Sequence, residues 1–478
     1  MSSSSLYRSV SLIAGTTIGA GILALPAATL PAGFWPSSVV MIAVWLYMAA
    51  SGLLIAEATI ETRRQLKTTT LGFLATIEYQ LGKVGAIAAG IVYIFIHYAM
   101  LVAYTARGGD ILAAALQDIN NALGLEPAGA LATLSSFTLP SFAEPFFAMP
   151  IFSVPIFSVP LWSGHLLFSL LLGSLLFWSS EQFIGNVNSV LLTIVIAAFV
   201  GLVALTLPQV NTGQLLHYQH WPSASIAIPV MLVAFVYHNV IPVVATQLKG
   251  DKTKIRQSIL LGSLIPLVMF LVWNAVILGS FTSASIQLTS SAVMDPTVVD
   301  PTVVNPTVVD PIERLRQGVD HPQLGLAISV FSEFAIATSF IGFAYGLLSV
   351  FSDLFTSLPS TMPTASDAAK ATDAVSPKGA RSLIYALIFL PPLALSLLSP
   401  TIFFDAIDLS GALGTSILFG IIPAVMVWKL RYQNPTTNGP TTNSTTPWVP
   451  GGKLSLAAII VIAIAVIIQY VLIKSSLL

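Results

Sequence analysis

Apolar residues along this chain fall into long runs separated by short polar or proline-rich stretches. Roughly 17 to 30 residues is the length a helix needs to cross the hydrocarbon core of a bilayer. Runs of about this size cover residues 9–30, 35–59, 84–117, 162–179, 183–207, 226–248, 255–281, 324–354, 383–398, 407–430 and 454–473, the fourth and ninth short, the third and eighth long. The pattern predicts an all-α integral membrane protein of about eleven transmembrane helices, forming one polytopic domain over residues 1–478. The first run is longer than the apolar part of a signal peptide and is broken by glycine, so it reads as a retained span.

Basic residues assign the two sides. With the N-terminus in the cytoplasm and each run crossing once, the cytoplasmic segments collect 15 of the 19 lysines and arginines, from Arg8 through Arg63, Arg64 and Lys254 to Lys453. Arg107, Arg314, Arg316 and Lys474 remain for the outer side. Basic residues gather on the cytoplasmic side of short loops, so the N-terminus is expected inside and the C-terminus outside. Composition adds that 55% of residues are hydrophobic and 8% charged, too few charges to solvate a soluble surface. The absence of cysteine excludes disulfides, thiolate catalysis and cysteine-ligated metal. Two five-residue tandem repeats, PIFSVPIFSVP at 150–160 and DPTVVDPTVVNPTVVDP at 295–311, fall in predicted outer loops and read as expansions in tolerant sequence.

Two spans carry irregular chemistry. The first, SVSLIAGTTIGAGILALPAATL, has Gly15, Gly19 and Gly21 near its middle and Pro26 beyond. A membrane helix must satisfy its own backbone, so weakening it at mid-span points either to a cavity-lining break or to close G-x-x-x-G packing. Five spans later, IAIPVMLVAFVYHNVIPVVATQL is interrupted by Pro229 and Pro242 and carries Tyr237, His238 and Asn239 between them. Five is odd, so the second block of five enters the membrane from the opposite side. This predicts a 5+5 inverted repeat, residues 9–207 and 226–430, with broken first and sixth helices and an additional eleventh helix at 454–473. Half-helix N-termini attract an anion and freed carbonyls a cation, and a zwitterionic amino acid supplies both charges.

The residues at these positions resemble a known family. LIAGTTIGAGILALPAATLPAGFWPSSVVMIAVWLYMAASGLLIAE at 12–57 is similar to the opening of the aromatic amino acid permeases, the tryptophan/tyrosine-specific family of the amino acid–polyamine–cation superfamily. FVYHNVIP at 235–242 resembles that family's F-G-F-H-x-x-I-P, and AIATSFIGFAYGLLSVFSDLF at 335–355 resembles its A-I-A-T-S-F-L-G…D-L pattern. The resemblance implies an inner-membrane importer of tryptophan or tyrosine driven by the proton gradient. Val236 stands where the family has glycine and Tyr237 where it has phenylalanine, so substrate choice carries over less directly than fold.

On this reading Ala14, Gly15, Thr16, Thr17, Gly19 and Gly21 hold the substrate carboxylate, mainly through backbone amides. Phe235 and Tyr237 wall its ring, with His238 and Asn239 beside them. His238 and Glu333, ionisable groups inside spans, are the candidates for carrying a proton. Thr338 and Ser339 stand where the resemblance places a cation site between the first and eighth spans. Glu57 and Asp353 lie near cytoplasmic ends, as gates or solvated ends, while His97 and Tyr98 sit mid-span. Each has a structural alternative: aromatics as core, histidine bonded to a carbonyl, hydroxyls satisfying local backbone. No cofactor, metal or nucleic acid is expected; the partners are an amino acid, a proton or sodium ion, and the bilayer. The chain has no H-E-x-x-H or other catalytic cluster and no repeated pore loop, so enzyme and channel fit poorly. A sodium-coupled carrier of another neutral amino acid and a non-transporting sensor of the same fold remain alternatives.

Overall fold

A computed structural model describes residues 3–19, 21–69, 71–122, 161–179, 181–217, 219–280, 322–357, 377–398, 402–433 and 447–475. Both pentapeptide repeats lie outside these residues. Those described form helices and no strand, and eight helices are long and apolar enough to cross a bilayer. A bent pair near the N-terminus makes a ninth if taken as one span, and Trp162–Trp178 and Ser382–Ser396 are apolar but shorter. Many large apolar side chains face outward, among them Leu46, Val84, Ile91, Leu170 and Val461, as expected when the surrounding solvent is lipid.

The first span consists of α1 (Ser3–Thr17) and α2 (Gly21–Thr29), inclined at 53° about the Gly19–Gly21 break. Then come α3 (Phe34–Leu66) and α4 (Phe73–Ala122), the latter kinked at Gly82, whose φ of 80° an L side chain rarely adopts. That kink accounts for a sequence-predicted span beginning near residue 84, although the helix starts eleven residues earlier at Phe73. Next are α5 (Leu161–Trp178), α6 (Glu181–Thr206) and the short α7 (Thr212–His217).

The sixth span is also broken, but not at its prolines. Pro229 and Pro242 each sit in the first turn of a half-helix, α8 (Ile228–Ala234) and α9 (Ile241–Gln247), where a missing N–H has no intrahelical partner to lose. The helical run instead stops over Phe235–Tyr237, and His238–Val240 makes one 3₁₀ turn before α9. A tight turn at Lys249 and Gly250, both at positive φ, leads into α10 (Lys252–Gly279). Asp251 caps α10 by accepting from the Lys254 amide at 3.1 Å, and that bond holds its carboxyl below the usual carboxylate range.

The remaining elements are α11 (Pro322–Ser357), α12 (Pro377–Ser396), α13 (Ile402–Leu409), a π-helical stretch Ser410–Ile421, α14 (Ile422–Tyr432) and α15 (Gly452–Ser475). The wide π turn lets Gly411, Gly414 and Gly420 approach Pro229, Ile96 and Tyr47 closely. One continuous core of buried side chains unites α1–α4, α8–α11 and the π stretch, while α15 lies at the periphery with 22% of its span buried.

Candidate functional site

The two breaks meet. A Cβ built on Gly21 would lie 2.7 Å from Ala234 Cα, so the start of α2 packs backbone to backbone against the end of α8. On Gly19 it would lie 2.0 Å from Ser339 Oγ of α11, and on Gly15 it would lie 2.8 Å from the end of Leu192 on α6. The three glycines therefore serve different neighbours. Gly19 and Gly21 close the break against α11 and α8, whereas Gly15, together with buried Ala14, is a helix-packing position.

Thr16 Oγ1 donates to the Leu12 carbonyl and Thr17 Oγ1 to the Ile13 carbonyl, each at 2.7 Å. With their protons given to their own helix, these hydroxyls offer only lone pairs elsewhere and cannot act as further donors to a carboxylate. Backbone amides at the start of α2 are left to take that role, except that of Ile22, which donates to the Gly19 carbonyl at 3.1 Å.

The side chains of the second break diverge. Phe235 is fully buried and packs on Phe270 of α10, with ring centroids 5.2 Å apart. Tyr237 meets α10 two turns earlier and also reaches α3: its hydroxyl donates to the Met48 carbonyl at 3.3 Å and meets the Ser263 hydroxyl. The rings of Tyr237, His238 and Phe419 form a stack with both centroid spacings at 4.7 Å.

His238 Nε2 lies 3.1 Å from the Met48 carbonyl oxygen. A carbonyl only accepts, so Nε2 carries the proton, and Nδ1 of the neutral ring is an acceptor. Nδ1 is buried with no hydrogen-bond partner among the described residues, and so is Asn239 Oδ1 on the next residue. Orphaned acceptors on two consecutive buried residues need explaining, and N–H donors of a ligand would satisfy them.

On α11, Thr338 Oγ1 donates to the Ala335 carbonyl at 2.9 Å, leaving its lone pairs free to face a cation. Ser339 hydrogen-bonds Tyr104 of α4, a residue that nothing in the sequence marked, because one tyrosine in an apolar run has no distinguishing pattern. Glu333 Oε2 is buried without a partner among the described residues. His97 stacks on Tyr93 at 3.8 Å, its Nδ1 on the Tyr93 carbonyl at 2.7 Å, and faces Phe343 and Gly346 of α11. Tyr98 instead reaches the Leu387 carbonyl of α12, away from the breaks. Glu57 pairs with Arg431 at 2.7 and 2.5 Å and accepts from the Trp448 amide at 3.3 Å, tying α3 to α14 and to the lead-in of α15. The structure thus brings Gly19, Gly21 and Ser339 together, with Ala234 and Tyr104, while Gly15, Tyr98 and Glu57 lie elsewhere.

The sequence profile of the tryptophan/tyrosine permease family matches residues 2–140 and 153–470. Tyrosine-specific transport system 2 of Haemophilus influenzae is 27% identical over 97% of this chain and 95% of its own length. The low affinity tryptophan permease of Escherichia coli strain K12 is 27% identical over 97% of this chain and 94% of its own length. Among solved structures, MhsT in complex with L-phenylalanine has a similar fold, with a TM-score of 0.51 at 14% identity, covering 95% of this chain and 97% of that one.

Proposed function

The chain belongs to the tryptophan/tyrosine permease family, and on that premise we propose that it is a secondary active importer of aromatic amino acids, working by proton symport in the bacterial inner membrane. It has eleven spans, N-terminus inside and C-terminus outside, arranged as inverted blocks 9–207 and 226–430 with an extra helix at 454–473. The observation that carries the reading is the meeting of two broken spans beside orphaned acceptors. Amides at the start of α2, from Gly21, hold the substrate carboxylate with the positive end of the helix behind them. The ammonium donates to His238 Nδ1 and Asn239 Oδ1. The ring occupies space opened when the packing around Phe235 and Tyr237 relaxes, where burial of an aromatic face supplies much of the affinity.

In this reading the coupling proton is taken by His238 or Glu333. The two differ: symport carries proton and substrate bound together, and a proton on His238 Nδ1 would turn the ammonium's acceptor into a donor, so with His238 holding the ammonium the coupling proton falls to Glu333. Two lone-pair-bearing hydroxyls, Thr338 and Ser339, support sodium coupling as the second reading. Uptake of labelled tryptophan, tyrosine and phenylalanine into proteoliposomes separates the two. Competition among the three, loss with a protonophore and persistence without sodium are expected. Strict sodium dependence overturns the proton assignment, and preference for small or charged amino acids overturns the substrate class.

A further inference from the structure

One turn of α3, Met48–Gly52, is the surface on which the sixth-span break rests. The Met48 carbonyl accepts from the Tyr237 hydroxyl at 3.3 Å and lies 3.1 Å from His238 Nε2. Ser51 donates to the Phe419 carbonyl of the π-helical stretch, and the Phe419 ring stacks on His238. Gly52 makes no polar side-chain contact but leaves room. A Cβ there would lie 2.8 Å from Tyr237 Oη, 3.2 Å from Tyr237 Cε2 and 3.3 Å from Ile241 Cδ1 at the start of α9. Met48, Ser51, Gly52, Tyr237, His238 and Phe419 are all buried.

Tyr237 cannot yield to a side chain at position 52 by a local rotation. Its hydroxyl lies on the ring axis, so turning the ring about that axis leaves the oxygen in place. The ring face is held by His238, with centroids 4.7 Å apart. Ordinary contact begins at 3.4 Å, so a methyl group at 52 would push the tyrosine off α3 by about 0.6 Å. Tyr237 and His238 are consecutive, share one acceptor and stack on each other, so a shift of one passes to the other. Carried to His238, that shift takes the 3.1 Å contact of Nε2 beyond hydrogen-bond range. Tyr237 also stands where the motif of the aromatic amino acid permeases has phenylalanine, so the room at Gly52 answers a hydroxyl which that motif lacks.

We infer that Gly52 is a positioning residue for transport: by admitting the Tyr237 hydroxyl it lets α3 hold His238 through Nε2, which fixes the place of Nδ1 and so of the substrate ammonium. This role rests on the transport reading above; the pairing of Gly52 with Tyr237 does not.

Gly52→Ala, Tyr237→Phe and the double variant, each as the full chain purified in detergent, test both parts. Without substrate, Gly52→Ala should lower the melting temperature although alanine is the better helix former. Tyr237→Phe removes the atom at 2.8 Å and should recover much of that loss in the double variant. Losses that simply add overturn the pairing, as does Gly52→Ala melting like wild type. In proteoliposomes, Gly52→Ala should raise KM for tyrosine and tryptophan several-fold with the maximal rate per folded protein less affected, because an acceptor is displaced while the cycle can still run. The double variant should return KM toward that of Tyr237→Phe. A lowered melting temperature with unchanged KM makes Gly52 a packing residue and overturns the positioning role. Should Gly52→Ala fail to fold, the double variant carries the test: it should fold and keep the KM of Tyr237→Phe, and failure of either overturns the inference. Coupled melting without uptake of any aromatic amino acid by the wild-type chain means that the transport reading fails and the pairing stands.

Discussion

Replacing each break glycine by alanine adds the same methyl group to three different surroundings, and the structure ranks the outcomes. At Gly21 the new Cβ would meet Ala234 Cα at 2.7 Å and Cβ at 2.9 Å. Ordinary contact begins at 3.4 Å, so α2 and α8 must part by about 0.7 Å, and no side chain can rotate to relieve backbone atoms. Overpacking of this kind costs about 1–3 kcal/mol, or about 5- to 150-fold in the balance between the packed and parted break. At Gly15 the obstacle is Leu192 Cδ2 at 2.8 Å, with its Cγ already at 4.0 Å. A leucine terminus turns away cheaply, and alanine gains up to about 1 kcal/mol of helix propensity over glycine, so Gly15→Ala should be neutral or slightly stabilising. Gly19→Ala falls between: Ser339 Oγ at 2.0 Å can rotate away but gives up its bond to Tyr104, and Ser339→Ala in the same chain should recover part of the loss. The measurements are initial uptake per reconstituted protein and thermal melting of the detergent-purified protein. If Gly15→Ala harms as much as Gly21→Ala, or Gly21→Ala is neutral, the break is not a packed junction and the argument fails.

Two other substitutions test particular contacts. Tyr237→Phe deletes the hydroxyl bonded to Met48 and Ser263, about 0.5–1.5 kcal/mol of stability, and should leave substrate preference unchanged. Tyr237→Ala should weaken aromatic substrates by about 1–3 kcal/mol and spare alanine; equal losses for alanine and tryptophan would make the residue structural. Glu57 and Arg431 are 13% and 12% exposed, so Arg431→Leu, which strands a buried carboxylate, should cost about 3 kcal/mol in melting experiments. Adding Glu57→Leu should restore part of that, and an additive double mutant would mean that the pair is solvated rather than buried.

How much of this was legible in the sequence depends on the length scale of each feature. Spans are read from runs of twenty residues, so helices appear near every predicted run, and the short runs at 162–179 and 383–398 are the short apolar helices observed. Breaks need only a local defect in an otherwise good helix, which is why Gly19 and Gly21 marked the first one. The second was placed correctly in the span but credited to its prolines, whereas Pro229 and Pro242 begin helices and the chain breaks over Phe235–Tyr237, a trio of aromatic and β-branched residues with lower helix propensity. Side-chain direction is the information that apolar sequence withholds. In a helix apolar all round, His97 and Tyr98 are neighbours with nothing to distinguish them, yet one faces α11 and the other α12. The same blindness hid Tyr104 and the His165–Asp110 pair, whose members lie 55 positions apart and meet only because Gly108, Gly109 and Gly164 let two helices touch. In a membrane core, glycine is therefore the more informative residue to follow: it marks where backbones meet, and polar groups on the helices it joins are then forced to answer to one another.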